Sequence, residues 1–272
     1  MYLASCKKIT KYLRKCIKNV SRGGQPPRLY GLAKVHKKTV SVRPVLSMPG
    51  TPYEKVGTWV TEWLSSIPSS QIRCTNKQVV DKIKNITLED EEVIVSFDVS
   101  SLYTNVPVDE AIQEAEDILY SGDLPKPPVD KETFITLVEL SSKDVVMLTH
   151  DGYYRQKDGL SMGGKPAPPL ANIWLAKFEP DIRDNAKLFE RYMDDIIREI
   201  KVQEIHAKLE AINRLHPMLK FTMEKEEDGK IPFLDMEIIH KDNHLSSTWY
   251  VKQTDTGLIM NYHALAPRRY KN

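Results

Sequence analysis

The sequence contains few of the features that mark a secreted or membrane-bound protein. Its three cysteines, Cys6, Cys16 and Cys74, are odd in number and lack a metal-ligand spacing, which suits a reducing compartment. No apolar run approaches the ~20 residues that cross a bilayer, and no signal-peptide block begins the chain. We therefore expect an intracellular protein with no membrane partner. With 272 residues, 41% of them hydrophobic, one large domain or two small ones can bury a sizeable core.

Acidic residues are absent from the first 53 positions, which carry 12 lysines and arginines; the first acid is Glu54. The remainder holds 27 bases against 37 acids, so the overall charge of +2 combines a basic arm with an acidic body. This asymmetry favours one surface for polyanions and another for cations. An exposed basic tail without a partner is the alternative.

The basic arm divides into a predicted helix and a predicted hairpin. Apolar residues at helical spacing predict a helix over residues 1–20. Two strand-like segments follow, over residues 28–35 and 39–48. Their hairpin would present Lys34 and Arg43 to phosphates, and the guanidinium of Arg43 offers a bidentate fork.

Carboxylates follow apolar segments at two distant places in the chain. Asp194 and Asp195 lie between two apolar runs, a pattern typical of a tight hairpin with acids at its tip. Adjacent carboxylates repel each other unless they share a cation, and such oxygen ligands suit Mg²⁺ or Mn²⁺. Asp98 ends a short apolar strand over residues 93–97, where a carboxylate is costly unless it is paired or meets a metal. A solvated acidic turn is the alternative for the Asp-Asp pair.

The remaining periodicities supply a scaffold for these acids. Three glycines within six residues, Gly159, Gly163 and Gly164, form a loop whose backbone could approach a ligand closely. If the strand before Asp98 and the Asp-Asp hairpin share a sheet, the acids meet at one end, where two divalent ions would support in-line phosphoryl transfer. Other predicted helices cover residues 53–67, 75–86, 108–120, 130–140, 170–178 and 202–215, and other predicted strands cover residues 145–148, 153–154, 219–224, 231–239 and 244–251.

Taken in order, these segments resemble reverse transcriptases, and most closely the enzymes of Penelope-like retroelements. The resemblance extends from about residue 27 to residue 262. The blocks that carry it are residues 31–37 (GLAKVHK), 43–47 (RPVLS), 96–107 (SFDVSSLYTNVP), 159–172 (GLSMGGKPAPPLAN), 192–195 (YMDD), 232–235 (PFLD) and 250–256 (YVKQTDT).

The resemblance implies an α+β fold of the right-hand polymerase type, with an antiparallel palm sheet backed by helices. Residues 1–90 would form the basic arm and fingers, and residues 91–262 the palm, with room for insertions of the fingers between palm motifs. Residues 263–272 would be the truncated start of a thumb or connection. The implied activity is RNA-directed DNA polymerisation, a nucleotidyl transfer that uses two Mg²⁺ ions, with Mn²⁺ as a substitute. Its partners would be an RNA template, a DNA primer and a dNTP, and its expected location is the nucleus.

The family's motifs also imply roles for individual residues. Asp98, Asp194 and Asp195 would be catalytic and hold the metals, assisted by the carbonyl of Val99. Tyr103 would stand against the sugar 2′ position and exclude ribonucleotides, unless it is a core tyrosine. Further implied roles are triphosphate binding by Lys34 and Arg43, support of the nascent base pair by Met162, Gly163 and Gly164, proton donation by Lys225 with Lys220 and Lys230 as competitors, and a structural role for Asp235.

The sequence departs from the family in two respects. Residues 164–168 (GKPAP) replace the usual SPLSP, so template contacts could differ. The chain contains no GIY…YIG nuclease sequence and leaves little room for a thumb after residue 262, so we expect a fragment of a larger retroelement protein or a shortened descendant. Two alternatives stay open: an RNA-directed RNA polymerase, against which Tyr103 argues, and a non-catalytic nucleic-acid-binding relic.

Overall fold

The computed structural model describes residues 24–34, 41–71 and 74–251, together with His263 and Leu265. The helix predicted over residues 1–20 and most of the segment after residue 251 lie outside these residues. The strands are β1 Arg28–Lys34, β2 Ser41–Ser47, β3 Glu92–Val99, β4 Val146–Leu148, β5 Tyr153–Arg155, β6 Phe189–Tyr192, β7 Asp195–Lys201, β8 Phe221–Lys225, β9 Lys230–Phe233, β10 Met236–Lys241 and β11 His244–Trp249. The helices are α1 Pro52–Leu64, α2 Asn76–Ile83, α3 Leu102–Asn105, α4 Val108–Ser121, α5 Lys131–Ser142, α6 Ala167–Ala176, α7 Glu179–Arg183 and α8 Ile205–Asn213, with 3-10 turns at Pro68–Gln71 and Val202–Glu204.

Local sequence signals account for the starts of two helices, α2 and α5. The Thr75 side chain accepts a hydrogen bond from the Gln78 backbone N–H, and the Gln78 side chain accepts one from the Thr75 backbone N–H. The two bonds form a capping box before α2. Asp130 accepts from the Thr133 backbone N–H before α5. These caps satisfy backbone donors that the first helical turn leaves without partners.

The described strands form three sheets. The central sheet has the order β6-β7-β3-β8, and each neighbouring pair in it is antiparallel. A second sheet has the order β2-β1-β4-β5, in which β1 and β4 are parallel, so it combines strands from before and after β3. A third has the order β11-β10-β9.

The prediction of one strand over residues 231–239 was wrong. The segment forms β9 and β10, which pair back on each other with Phe233 opposite Met236. Leu234 makes this turn possible by adopting a φ of 55°. Because leucine rarely adopts a positive φ, the apolar sequence gave no sign of a turn.

Side chains alternate between two cores along β3. Val95, Phe97 and Val99 face a large core shared with helices α1, α4, α5 and α6, while Ile94 faces a second core lined by α2 and β9–β11. Asp98 therefore points away from the helical core. Among the described residues, no helix is long and apolar enough to span a membrane.

Truncation of Leu170 tests the helical core. Leu170 is fully buried in α6, whereas Leu140 in α5 is 57% exposed. We expect Leu170→Ala to lower the free energy of unfolding by about 2–5 kcal/mol, because it leaves a cavity. Leu140→Ala is the matched control and should change it by less than about 0.5 kcal/mol. Equal losses in urea denaturation would contradict this core assignment.

Candidate active site

The pairing of β3 with β7 brings the three predicted acids to one end of the central sheet. Asp98 lies directly opposite Asp195 in the antiparallel register. Directly opposed residues project from the same face, with Cβ atoms about 4.5–5.5 Å apart. The backbone N–H of Val99 also donates to the carbonyl oxygen of Asp194 at 3.3 Å. Asp98 and Asp194 are half-buried and Asp195 is exposed.

The hairpin predicted around the Asp-Asp pair is present with a loop of two residues, Met193 and Asp194. Tyr192 pairs with Asp195 across it. Met193 has a φ of 57°, and no positive φ is found at Asp194. A positive φ at only the first of the two loop residues is the signature of a type II′ turn, where glycine is usual.

A cleft of about 1000 Å³ opens in front of these acids. It contains most of the residues that the sequence singled out, although they come from four separate segments. The residues predicted from sequence that line it are Arg43, Asp98, Val99, Tyr103, Met162, Gly163, Asp194 and Asp195. Ser100, Ala167, Pro168 and Thr222 also contribute to its walls.

The glycine-rich loop joins two walls of the cleft. The backbone N–H of Leu160 donates to the carbonyl oxygen of Tyr103 at 2.6 Å, and that of Leu46 in β2 donates to Met162 at 2.8 Å. Gly163 has a φ of 104°, and a Cβ there would overlap the carbonyl oxygen of Leu46. Glycine is therefore required where the loop meets β2, the strand that carries Arg43.

Three residues predicted for the site, Gly164, Lys34 and Lys225, are not among the described residues that line the cleft. Gly164 is buried behind the loop, where its N–H donates to Ser161. Lys34 is the last residue of β1, and its side chain lies outside the described part of the chain.

The position of Lys225 does not suit a proton donor to this cleft. Lys225 pairs with Val95, about 10 Å along β3 from Asp98 and on the opposite face of the sheet. Lys220 lies nearer, because its carbonyl oxygen accepts from the backbone N–H of Ser100 at 2.8 Å, and Ser100 lines the cleft. Asp235 lies in the β9–β10 turn, where its carbonyl oxygen accepts from Tyr250.

Sequence reasoning missed a buried polar group beneath the hairpin. Arg191 in β6 has a fully buried side chain that contacts Glu179, Asn172 and the Met193 carbonyl. Burial lowers the pKa of its guanidinium, and Glu179 opposes that shift. The sequence shows that Arg191 is close to the Asp-Asp pair, but it does not show which way the Arg191 side chain points.

The donor chemistry of the cleft fits divalent cations. Asp98, Asp194 and Asp195 supply the hard oxygen ligands that Mg²⁺ and Mn²⁺ prefer. Among the described residues, no group of three or more His, Cys, Asp or Glu side chains already has the arrangement of a metal site. Carboxylates repel one another when no cation lies between them, so the three side chains do not gather into a closed ligand shell by themselves. The fold brings their backbone positions together.

A family model described as reverse transcriptase (RNA-dependent DNA polymerase) matches residues 35–223, more than half of the chain. The chain therefore belongs to the reverse transcriptase family. The family is that of the predicted enzyme class, the RNA-directed DNA polymerases, and enzymes of this family generally use divalent metal ions. No curated protein matches the chain.

Solved structures of telomerase share the fold. The telomerase of Candida albicans, in complex with a TWJ fragment of telomeric RNA, is 13% identical with a TM-score of 0.59, and the match covers 88% of this chain and 50% of that chain. Apo telomerase from Candida tropicalis is 12% identical with a TM-score of 0.58, and the match covers 88% and 52%. A form truncated from its C-terminal domain is 13% identical with a TM-score of 0.56, and the match covers 89% and 60%. The predicted α+β fold, with polymerase fingers and palm, is confirmed, and the chain spans 50–60% of the length of these proteins.

Substitution of Gly163 tests the contact between the loop and β2. Gly163→Ala should open the Leu46–Met162 hydrogen bond, because the added Cβ displaces the Leu46 carbonyl. Gly50→Ala is the matched control: Gly50 also has a positive φ of 77°, but nothing lies within 4 Å of a Cβ there. Both alanines incur about 1–2 kcal/mol of backbone strain.

We expect faster hydrogen exchange at the Leu46 amide in Gly163→Ala and unchanged exchange in Gly50→Ala. Equal protection of Leu46 in both variants would contradict the role of this contact.

Proposed function

We propose that the chain is the fingers-and-palm core of a Penelope-like retroelement reverse transcriptase, which extends a DNA primer on an RNA template by two-metal nucleotidyl transfer. The observation that carries the mechanism is the register that sets Asp98 opposite Asp195, beside Asp194, in a cleft also lined by Arg43 and Tyr103. The Penelope-like assignment rests on the ordered sequence blocks, above all residues 31–37, 96–107 and 159–172.

In this proposal the three carboxylates Asp98, Asp194 and Asp195 would hold two divalent cations, with the Val99 carbonyl as a further ligand. Cations held there would supply the charge that lowers the pKa of the primer 3′ hydroxyl and stabilises the reacting phosphate. The exposed Arg43 on β2 faces the same cleft and would bind the triphosphate through paired N–H donors. Met162 and Gly163 supply the wall against which the new base pair would rest.

The position of Tyr103 supports the choice of deoxyribonucleotides. Tyr103 follows Asp98 by five residues, lines the cleft and is held through its carbonyl oxygen by Leu160. The Tyr103 side chain is partly buried and packs against the helical core. A ring held beside the cleft by this packing would collide with a sugar 2′ hydroxyl, whereas a deoxyribose would fit beside it.

The likeness to telomerase supports RNA as a partner. One of the similar structures is a telomerase in complex with telomeric RNA. The first 53 residues of this chain carry 12 bases and no acid, which supplies positive charge for a phosphate backbone.

Asp194→Asn tests the proposed metal site. We expect primer extension on an RNA template with Mg²⁺ to fall by about a thousandfold or more, because several kcal/mol of transition-state stabilisation are lost. Asp228→Asn is the matched control, since Asp228 lies in the exposed β8–β9 turn outside the cleft and should leave extension unchanged. Retained extension by Asp194→Asn would refute the metal assignment. Inactivity of the wild-type chain with intact RNA binding would favour a non-catalytic relic.

Tyr103→Ala tests the proposed sugar selection. Removal of the ring should lower discrimination against ribonucleotides by about 10–100-fold, the equivalent of relieving a clash of ~1–3 kcal/mol. Tyr103→Phe is the matched control, because it keeps the ring and should keep the discrimination. The measurement is the ratio of kcat/KM for dNTP and NTP. An unchanged ratio in Tyr103→Ala would argue against this role. If the wild-type chain also accepts NTP, the result would favour an RNA-directed RNA polymerase.

A further inference from the structure

A fully buried guanidinium lies directly beneath the loop that carries the acids. The Arg191 side chain has no exposed surface, and its Nε donates to Glu179 Oε2 at 3.2 Å. Its Nη1 donates both to Asn172 Oδ1 at 3.1 Å and to the carbonyl oxygen of Met193 at 3.0 Å. Its Nη2 makes no hydrogen bond within the described part of the chain. A buried cation with an unsatisfied donor contributes little to stability, so its presence calls for another reason.

The carbonyl that Arg191 holds belongs to the central peptide of the turn. In a two-residue loop, the peptide between the two loop residues is the one whose orientation distinguishes a type II′ turn from a type I′ turn. Here it joins Met193 to Asp194, so its direction also determines how Asp194 leaves the turn. The amide Nδ2 of Asn172 approaches Met193 Sδ at 3.3 Å, so the same side chain contacts both Arg191 and Met193.

We propose that Arg191 is a positioning residue: held by Glu179 and Asn172, it fixes the Met193–Asp194 peptide in one orientation and thereby aims the acids of the hairpin into the cleft. The conformational part of this inference stands without the proposed polymerase function, and only its consequence for catalysis rests on that function. Glu179 is itself oriented from its other oxygen, which accepts from Arg183 Nη2 at 3.0 Å.

The shape of the guanidinium explains why arginine is needed. Its Nε and Nη1 donate in different directions, to a helix side chain and to the turn. A lysine keeps the charge but offers a single nitrogen, which cannot bridge Glu179 and the Met193 carbonyl in the same way. Met193 has a positive φ, which strains the backbone of any residue other than glycine. The turn therefore needs a contact such as that from Arg191 to stay in this orientation.

The first test measures the turn without any reaction. Selective ¹³C-methyl labelling of methionine gives a resonance for Met193, assigned with Met193→Leu. We expect Arg191→Lys to shift or broaden this resonance. Arg198→Lys is the matched control: Arg198 is also buried and bonds the carbonyl oxygens of Ile182 and Glu199, but it does not contact the turn. It should destabilise the fold and leave the Met193 resonance in place.

If Arg191→Lys does not fold, Glu179→Ala replaces it, since Glu179 holds Arg191 through the Nε of the guanidinium. An unmoved Met193 resonance in the folded variant would overturn the inference whether or not the chain polymerises DNA.

The second test measures the consequence for synthesis. In single-turnover extension, Arg191→Lys should lower the rate of nucleotide addition by about a hundredfold, the effect of misplacing catalytic groups by about 1 Å. The Kd for dNTP should stay near that of the wild type, because the triphosphate contacts are untouched. Adding Met193→Gly should recover much of the rate, since glycine adopts a positive φ without help.

Equal rates in Arg191→Lys and Arg198→Lys, or no rescue by Met193→Gly, would contradict the positioning role. An inactive wild-type chain whose Met193 resonance still responds to Arg191→Lys would instead contradict the proposed function and leave the positioning of the turn intact.

Discussion

The antiparallel register between β3 and β7 is the constraint on which the site depends. A slip of one residue would turn every side chain to the other face, because side chains alternate along a strand. Val95 and Phe97 on β3 and Ile196 and Ile200 on β7 are buried in the helical core. Each such side chain contributes about 1.5–3 kcal/mol when buried, so a slipped register would expose several of them at once. Packing on the helical face thereby places Asp98 opposite Asp195 on the other face.

At the tip of the hairpin, backbone strain at Met193 and the hydrogen bond from Arg191 are of similar size. A residue such as Met193 at positive φ costs about 1–3 kcal/mol, and a hydrogen bond from a charged donor contributes a similar amount of about 1.5–3 kcal/mol. The Arg191 contact to the Met193 carbonyl can therefore decide the orientation of the turn. The glycine-rich loop plays a comparable part for Tyr103 and β2, which it joins by backbone hydrogen bonds rather than by side chains.

Sequence patterns predicted elements well where periodicity and turn chemistry agree. The strand before Asp98 and the Asp-Asp hairpin were expected within a few residues of β3, β6 and β7. The turn at Leu234 was missed because apolar residues continue through it, and Lys225 was assigned without knowledge of its pairing with Val95. The direction of Arg191 depends on Glu179 and Asn172, which only the tertiary structure brings to it. Local patterns therefore predict elements and faces, whereas register and buried polar contacts arise from distant pairing.

In the proposed function, β3 and the β6–β7 hairpin bring three carboxylates to shared cations. The most direct measurement is a crystal structure of the chain with an RNA template, a DNA primer, an unreactive dNTP analogue and Mn²⁺, with the ions located by anomalous scattering. We expect two ions, each within about 2.0–2.3 Å of carboxylate oxygens from Asp98 and from the Asp194–Asp195 pair. Ions bound elsewhere, or a nucleotide seated in the cleft while Asp98 contacts neither ion, would contradict it.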